Sequence, residues 1–188
     1  MLRDRGRVKV GVVSDTHGLF DPKLVELFRG TDLIIHGGDV CGEAVLRQLE
    51  AVAPVRAIHG NCDVPPLSEH LPPWRLEQLA GQRILVLHDL GKPERPRPAA
   101  QSLLSAARPS IVISGHSHQG RIAIHGEVLY VNPGGAGPKR FKLLRSAARL
   151  TLGPEGVEAR LFSLESTPPA VVARTRFGKR ATLAAPER

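Results

Sequence analysis

VKVGVVSDTHG, residues Val8 to Gly18, joins a run of apolar side chains to a serine, an aspartate, a threonine and a histidine. A strand with one wet face alternates apolar and polar residues, because successive side chains point to opposite faces. Between Val8 and Ser14 only Lys9 breaks the apolar run, so this strand is expected to be covered on both sides, as in the parallel sheets of α/β proteins. Ligands of such sheets bind beyond the carboxyl ends of the strands, which is where Asp15 and His17 stand.

The pattern recurs along the chain. Asp32 to Ile35, Val55 to Ile58, Arg83 to Leu87 and Ser110 to Ser114 read as further strands. They end in His36-Gly37-Gly38-Asp39, His59-Gly60-Asn61-Cys62-Asp63, His88-Asp89 and Gly115-His116-Ser117-His118. Five strand ends thus deliver carboxylates, an amide and imidazoles to one edge. Any one fragment is ordinary turn chemistry; five in phase with strand ends are a site. Asp21-Pro22 signals a helix start before Leu24, Val25, Leu27 and Phe28, Glu43 to Val52 repeats the helical period, and Ala99 to Ala107 is a third helix, closed by Pro109. The second half changes character. Arg121 to Ile124 with Val128 to Val131, and Leu150 to Leu152 with Val157 to Phe162, read as antiparallel hairpins. Residues 91 to 98 (GKPERPRP) read as a loop. The fold class is therefore α/β, with two sheets in one unit over residues 1–165 and a basic, flexible extension over 166–188.

Bulk properties narrow the function classes. A chain of 188 residues can bury a core without staples. Cys41 and Cys62, the only cysteines, are too few for a disulfide scaffold, and no apolar stretch approaches the roughly 20 residues of a membrane span. With a charged rather than apolar beginning, a cytoplasmic location and no membrane partner are the expectation. The net charge of +8 is local: residues 1–9 carry +3, 138–149 carry +5 and 170–188 carry +4, leaving −4 for the remainder. A solvated fringe and tail are favoured over a nucleic-acid footprint.

Oxygen and nitrogen donors without thiolates suit manganese, iron, nickel or zinc, and two such ions roughly 3.5–4 Å apart can clamp a phosphoryl group. The order D-x-H, G-D, G-N, H, G-H-x-H resembles that of the calcineurin-like metallophosphoesterases, over about residues 8 to 162. GNCD at Gly60–Asp63 and VNPGG at Val131–Gly135 are similar to the small YfcE-like phosphodiesterases, whose relatives include the retromer scaffold subunit. The resemblance implies a two-sheet metallophosphoesterase sandwich with α-β-β-α layers. It implies two divalent ions, manganese first among them, a metal-bridging hydroxide and a phosphodiester substrate. The first ion would be held by Asp15, His17, Asp39 and His118, and the second by Asp39, Asn61, His88 and His116. Of these, Asp39, Asn61 and His116 carry the catalytic part that the resemblance implies.

Two departures stand out. Cys62 replaces the histidine that many relatives place after the asparagine to protonate the leaving oxygen; an ordinary thiol is a poor acid there, and Cys62 is read as inert packing. Asp89-Leu90 replaces Gly-His, so Asp89 either tunes a ligand or shapes a turn. His36 and His59 are read as structural and His70 and His125 as surface, while Asp63 either orients a ligand or, as the safer reading, caps the turn before Pro65-Pro66. Lys139 and Arg140 are placed to meet a phosphate or to be solvated. Three functions follow: a phosphodiesterase of small molecules or nucleotides, a nuclease, or a non-catalytic scaffold. The scaffold reading predicts eroded ligands, whereas all seven are present. The nuclease reading leans on the basic segments but lacks the added length of repair nucleases. The expected partner is a small phosphoester, with nucleic acid second and a homo-oligomer left open.

Overall fold

The structure is a computed structural model that describes residues 6–178. In chain order its elements are β1 (Val8–Val13), α1 (Lys23–Leu27), β2 (Leu33–His36), α2 (Glu43–Glu50), β3 (Val55–Ala57), α3 (Leu67–His70), β4 (Trp74–Leu79) and β5 (Gln82–Leu87). They continue with β6 (Gly91–Lys92), β7 (Arg95–Pro96), α4 (Pro98–Ala107), β8 (Ile111–Ile113), β9 (Arg121–His125), β10 (Val128–Asn132), β11 (Ser146–Gly153), β12 (Gly156–Ser163) and β13 (Ala170–Phe177).

Two sheets face one another, in the orders β13-β12-β11-β1-β2-β3 and β4-β5-β8-β10-β9. The uniformly apolar strands lie inside, as their composition requires. Val10 and Val12 of β1, Leu33 and Ile35 of β2, Val86, Ile113 and Val131 share one dry core between the sheets. The other face of β1 and β2 presents Val13 and Ile34 to Leu24, Phe28, Val45 and Leu49 from α1 and α2. Across the molecule Leu85, Val112 and Tyr130 meet Ala100, Leu103 and Leu104 of α4. Helix, sheet, sheet and helix thus stack in four layers, as expected. Gly11 makes the first contact fit, since a Cβ there would lie 2.8 Å from the Phe28 ring.

Parallel pairing of β1 with β2 and of β2 with β3 puts three carboxyl ends side by side in one sheet. The parallel pair β5 and β8 does the same in the other. The single edge expected from the sequence is thus two edges, one from each sheet, converging on the same loops.

Besides the short helix α3, which the sequence reading did not include, three segments differ from that reading. Trp74–Leu79 is an edge strand, hidden in the sequence by its half-exposed alternation. Residues 91–98, expected to be a loop, contain the small hairpin β6–β7 and the start of α4. The boundary drawn at 165 does not hold: Ala170–Phe177, assigned to a flexible extension, pairs antiparallel with β12 from Val157↔Phe177 to Ser163↔Ala170. Its inward positions, Ala173, Thr175 and Phe177, are small or interrupted by Arg174 and Arg176, so the alternation carries little apolar signal. Arg174 is paired with Glu158 at 2.5 Å, and one of the tail's charges is therefore satisfied within the sheet. Residues 179–188 of that expected extension lie outside the described residues.

Phe177 packs half-buried against the inter-sheet core. Phe177→Ala is expected to cost about 1–2 kcal/mol, less than the roughly 3–5 kcal/mol typical of a fully buried phenylalanine. Urea unfolding measures it, and an unchanged midpoint would make β13 an ornament.

Candidate metal centre

The loops that follow β1 and β2 are stitched together by their backbones. The amides of Asp15, His17 and Gly18 donate to the carbonyls of Gly38, Asp39 and Val40 at 3.0, 3.0 and 2.8 Å. His36 locks the same pair of loops from below. Gly38 N–H donates to His36 Nδ1 at 3.2 Å, leaving the proton on Nε2 to be donated to Thr16 Oγ1 at 3.0 Å. The Thr16 hydroxyl donates in turn to the Val40 carbonyl at 3.2 Å. Complete burial pushes the His36 pKa down to about 4, in keeping with a neutral, structural ring.

Asp63 ties in the third loop. Its carboxylate accepts from Gly60 N at 2.7 Å, Val40 N at 3.2 Å and Cys41 N at 2.7 Å. Asp63 is therefore no cap of the following turn but the knot between the Asp39 and Asn61 loops. Asp two residues after the asparagine was the available signal; nothing local distinguishes a knot from a cap.

Within this frame Asp15, His17, Asp39, His116 and His118 all have positive φ, between 46° and 66°. Side chains rarely adopt that conformation, and its concentration at chemical residues of one site marks a shape imposed by the surrounding bonds.

All seven residues singled out in the sequence meet here. His17 Nε2 and His118 Nε2 are 3.2 Å apart with their rings stacked. His118 Nε2 lies 3.3 Å from Asp15 Oδ1, and Asp39 Oδ2 lies 3.8 Å from His17 Nε2 and 3.4 Å from His88 Nε2. Asn61 Oδ1 stands 2.8 Å from His116 Nδ1, and the His116 amide lies 3.1 Å from Asp15 Oδ2. Two overlapping trios, Asp15-His17-His118 and Asp15-Asp39-His88, bring their donor atoms within 4.8 Å of one another. The side chains differ in depth: Asp15, Asp39, His88 and His118 are buried and His17 is half-buried, whereas Asn61 and His116 are exposed.

Burial raises the Asp15 carboxyl above its usual range, against the pull of Ser14 and the nearby imidazoles. Burial works the same way on Asp39, but the His88 imidazole and the Cys62 amide outweigh it and hold that carboxyl well below the usual range. Burial alone would lower His88; Asp39 and the Gly37 carbonyl overcome it and raise the ring. Burial lowers His118. His88 donates Nδ1–H to the Gly37 carbonyl at 2.8 Å. Its Nε2 is buried with no hydrogen-bond partner among the described residues. Bare nitrogens and carboxylate oxygens converging in this way can hold divalent cations.

Of the remaining residues, Asp89 shapes a turn and also stands beside His116. Oδ1 accepts from Gly91 N at 3.1 Å and closes a turn, while Oδ2 takes Arg97 Nε at 2.6 Å and lies 3.6 Å from His116 Nε2. The two basic neighbours separate: Lys139 pairs with Glu165 at 3.5 Å, whereas Arg140 Nη2 reaches over the site to within 3.3 Å of His17 Nε2. Arg145, counted among the charges of the basic segment, is an internal brace on Asp21 at 2.7 Å. Cys62 is not packing. Its side chain is exposed, and Asn61 Nδ2 donates to its sulfur at 3.3 Å. Burial and the adjacent Asp39 carboxylate raise its pKa.

Residues 8–154 match the family model of the calcineurin-like phosphoesterase superfamily domain. A probable metallophosphoesterase of Methanocaldococcus jannaschii is 34% identical over 167 residues, covering 85% of this chain and 83% of its own. Vacuolar protein sorting 29 of Cryptosporidium parvum has a solved structure that superposes with a TM-score of 0.78 at 19% identity, over 92% of this chain and 99% of that one. Yfce, a phosphoesterase from E. coli, superposes with a TM-score of 0.68 at 24% identity, over 91% of this chain and all of its own. Both structures share the two-sheet fold described above. Among the described residues no helix is long and apolar enough to cross a membrane.

Proposed function

The chain belongs to the calcineurin-like phosphoesterase superfamily, and from that premise we propose that it is a phosphodiesterase whose seven gathered side chains hold two divalent ions. The observation that carries this reading is His88 Nε2, a buried nitrogen without a partner, 3.4 Å from a carboxylate that itself faces His17. Leaving such an atom unsatisfied costs roughly 1–3 kcal/mol, which a coordinated cation would remove. Asp15, His17, Asp39 and His118 would hold one ion, and Asp39, Asn61, His88 and His116 the other, with Asp39 shared. Bound there, the ions supply Lewis acidity, which brings water toward neutral pKa and offsets charge on the phosphoryl oxygens.

The rest of the work falls to the protein. Stitched loops hold the donors in place before substrate arrives, so little reorganisation is needed. The Gly37 carbonyl fixes the tautomer of His88, and Arg97 and the Gly91 amide hold Asp89 next to His116. With Cys62 a protonated thiol of raised pKa, no strong acid stands after Asn61, and leaving groups that depart easily are favoured. Manganese with an activated aryl phosphodiester is the first assay. Hydrolysis that follows metal content and vanishes with a chelator supports the reading; a protein that binds ions yet turns over no phosphoester favours the scaffold reading that the likeness to vacuolar protein sorting 29 supports.

Arg140 carries the substrate side of the proposal. Arg140 Nη2 borders His17 Nε2; with that nitrogen held by an ion, the guanidinium would be free to donate to a phosphoryl oxygen. Arg140→Ala is expected to raise KM about tenfold, roughly 1.4 kcal/mol, while kcat falls less. Steady-state kinetics on the diester check it, and an unchanged KM would return Arg140 to the solvated surface.

A further inference from the structure

A third trio of donors overlaps the centre without belonging to either set described above. His17, Asp39 and Cys62 each bring a ligand atom within 4.8 Å of the others. The loops that carry His17 and Asp39 are fixed by the backbone bonds between them, and Cys62 is fixed to Asp39 by its amide, which donates to Oδ1 at 2.8 Å. Cys41 adds a second thiol on the far side of His17, with Sγ 3.7 Å from Nδ1 and 3.5 Å from the Cys62 carbonyl. When that sulfur accepts Nδ1–H, the lone pair of His17 stands on Nε2, the tautomer of a metal ligand. Both thiols are free and exposed, so an ion can reach them from solvent.

One sulfur, one nitrogen and one oxygen donor do not suit the same ions as a centre of carboxylates and imidazoles. Thiolate favours zinc and its heavier congener cadmium over manganese or magnesium. We infer that Cys62, His17 and Asp39 form a second, softer metal position that captures thiophilic divalent ions and, in doing so, withdraws His17 and Asp39 from the phosphoester centre. Binding of the soft ion stands on the trio alone; its inhibitory consequence rests on the phosphodiesterase reading. Manganese then supports turnover, while zinc in excess suppresses it by occupying the trio.

Two measurements separate these parts. In the first, metal-free protein is titrated with cadmium, without substrate, and the ultraviolet thiolate-to-cadmium absorption is followed. The wild type is expected to develop a saturable band, Cys62→Ser to lose it and Cys41→Ser to keep it. A band of equal amplitude in Cys62→Ser, or one that disappears only with Cys41, overturns the assignment. In the second, zinc is added to each variant at fixed manganese, and the concentration that halves that variant's own rate is recorded. Cys62→Ser is expected to need at least about tenfold more zinc, a shift of roughly 1.4 kcal/mol in apparent affinity. Equal concentrations would overturn the competition. A protein with no turnover under any ion would refute the phosphodiesterase reading and leave the cadmium result standing.

Discussion

Asp39→Asn is expected to release both ions together and to take phosphodiester hydrolysis down by about a thousandfold or more, roughly 4 kcal/mol of transition-state stabilisation. Asp39 Oδ2 is the one carboxylate oxygen that faces both His17 and His88, so a neutral amide there weakens both halves. Asparagine still offers an oxygen to the Cys62 amide, so the fold should survive, and circular dichroism serves as the control. The single histidines should separate what Asp39 joins: His118→Ala mainly empties the Asp15 half and His116→Ala mainly the Asn61 half. Elemental analysis of purified variants decides the matter. An Asp39→Asn protein that retains its full metal content refutes the shared position.

Gly60→Ala should be nearly as damaging, although it touches no donor atom chemically. A methyl group at residue 60 would overlap Asp39 Oδ1 and lie 2.5 Å from the Asp39 backbone nitrogen. Backbone cannot step aside as the end of a flexible side chain can, so the loops after β2 and β3 must part. Parting them breaks the Asp63 knot, whose bonds to Val40 and Cys41 span this gap. A loss of about 2–3 kcal/mol in stability is expected, near the upper end for overpacking, with at least a hundredfold loss of turnover from the displaced carboxylate. Thermal unfolding and kinetics on the same preparation test both effects, and a well-folded, fully active Gly60→Ala protein would contradict the close approach.

That these seven side chains gather was legible because each occupies a fixed phase relative to a strand that had to be buried. Once Val8–Val13 is read as covered on both faces, Asp15 and His17 must emerge at its carboxyl end, and the same holds for Asp39, Asn61, His88 and the two late histidines. What escaped was held by relations between loops rather than by local pattern. Asp63 has the composition of a cap, yet two of its three amide partners, Val40 and Cys41, come from a loop more than twenty residues away. Cys62 was read as inert packing because an ordinary thiol is a poor acid, but a residue between Asn61 and Asp63 is held at the surface by its amide bond to Asp39 and the Asn61 contact to its sulfur. β13 escaped for a different reason. Its inward face is finished by Ala173, Thr175 and Phe177, too modest an apolar signal to stand out among arginines, and it gains its order by pairing with β12.

The unequal depth of the donors implies a kinetic hierarchy. Asp15 and His118 are buried and His17 is half-buried, whereas Asn61 and His116 border water directly. An ion held on the Asn61 and His116 side would therefore equilibrate with the medium sooner than one held on the Asp15 and His118 side, so brief chelation would strip the two positions in that order.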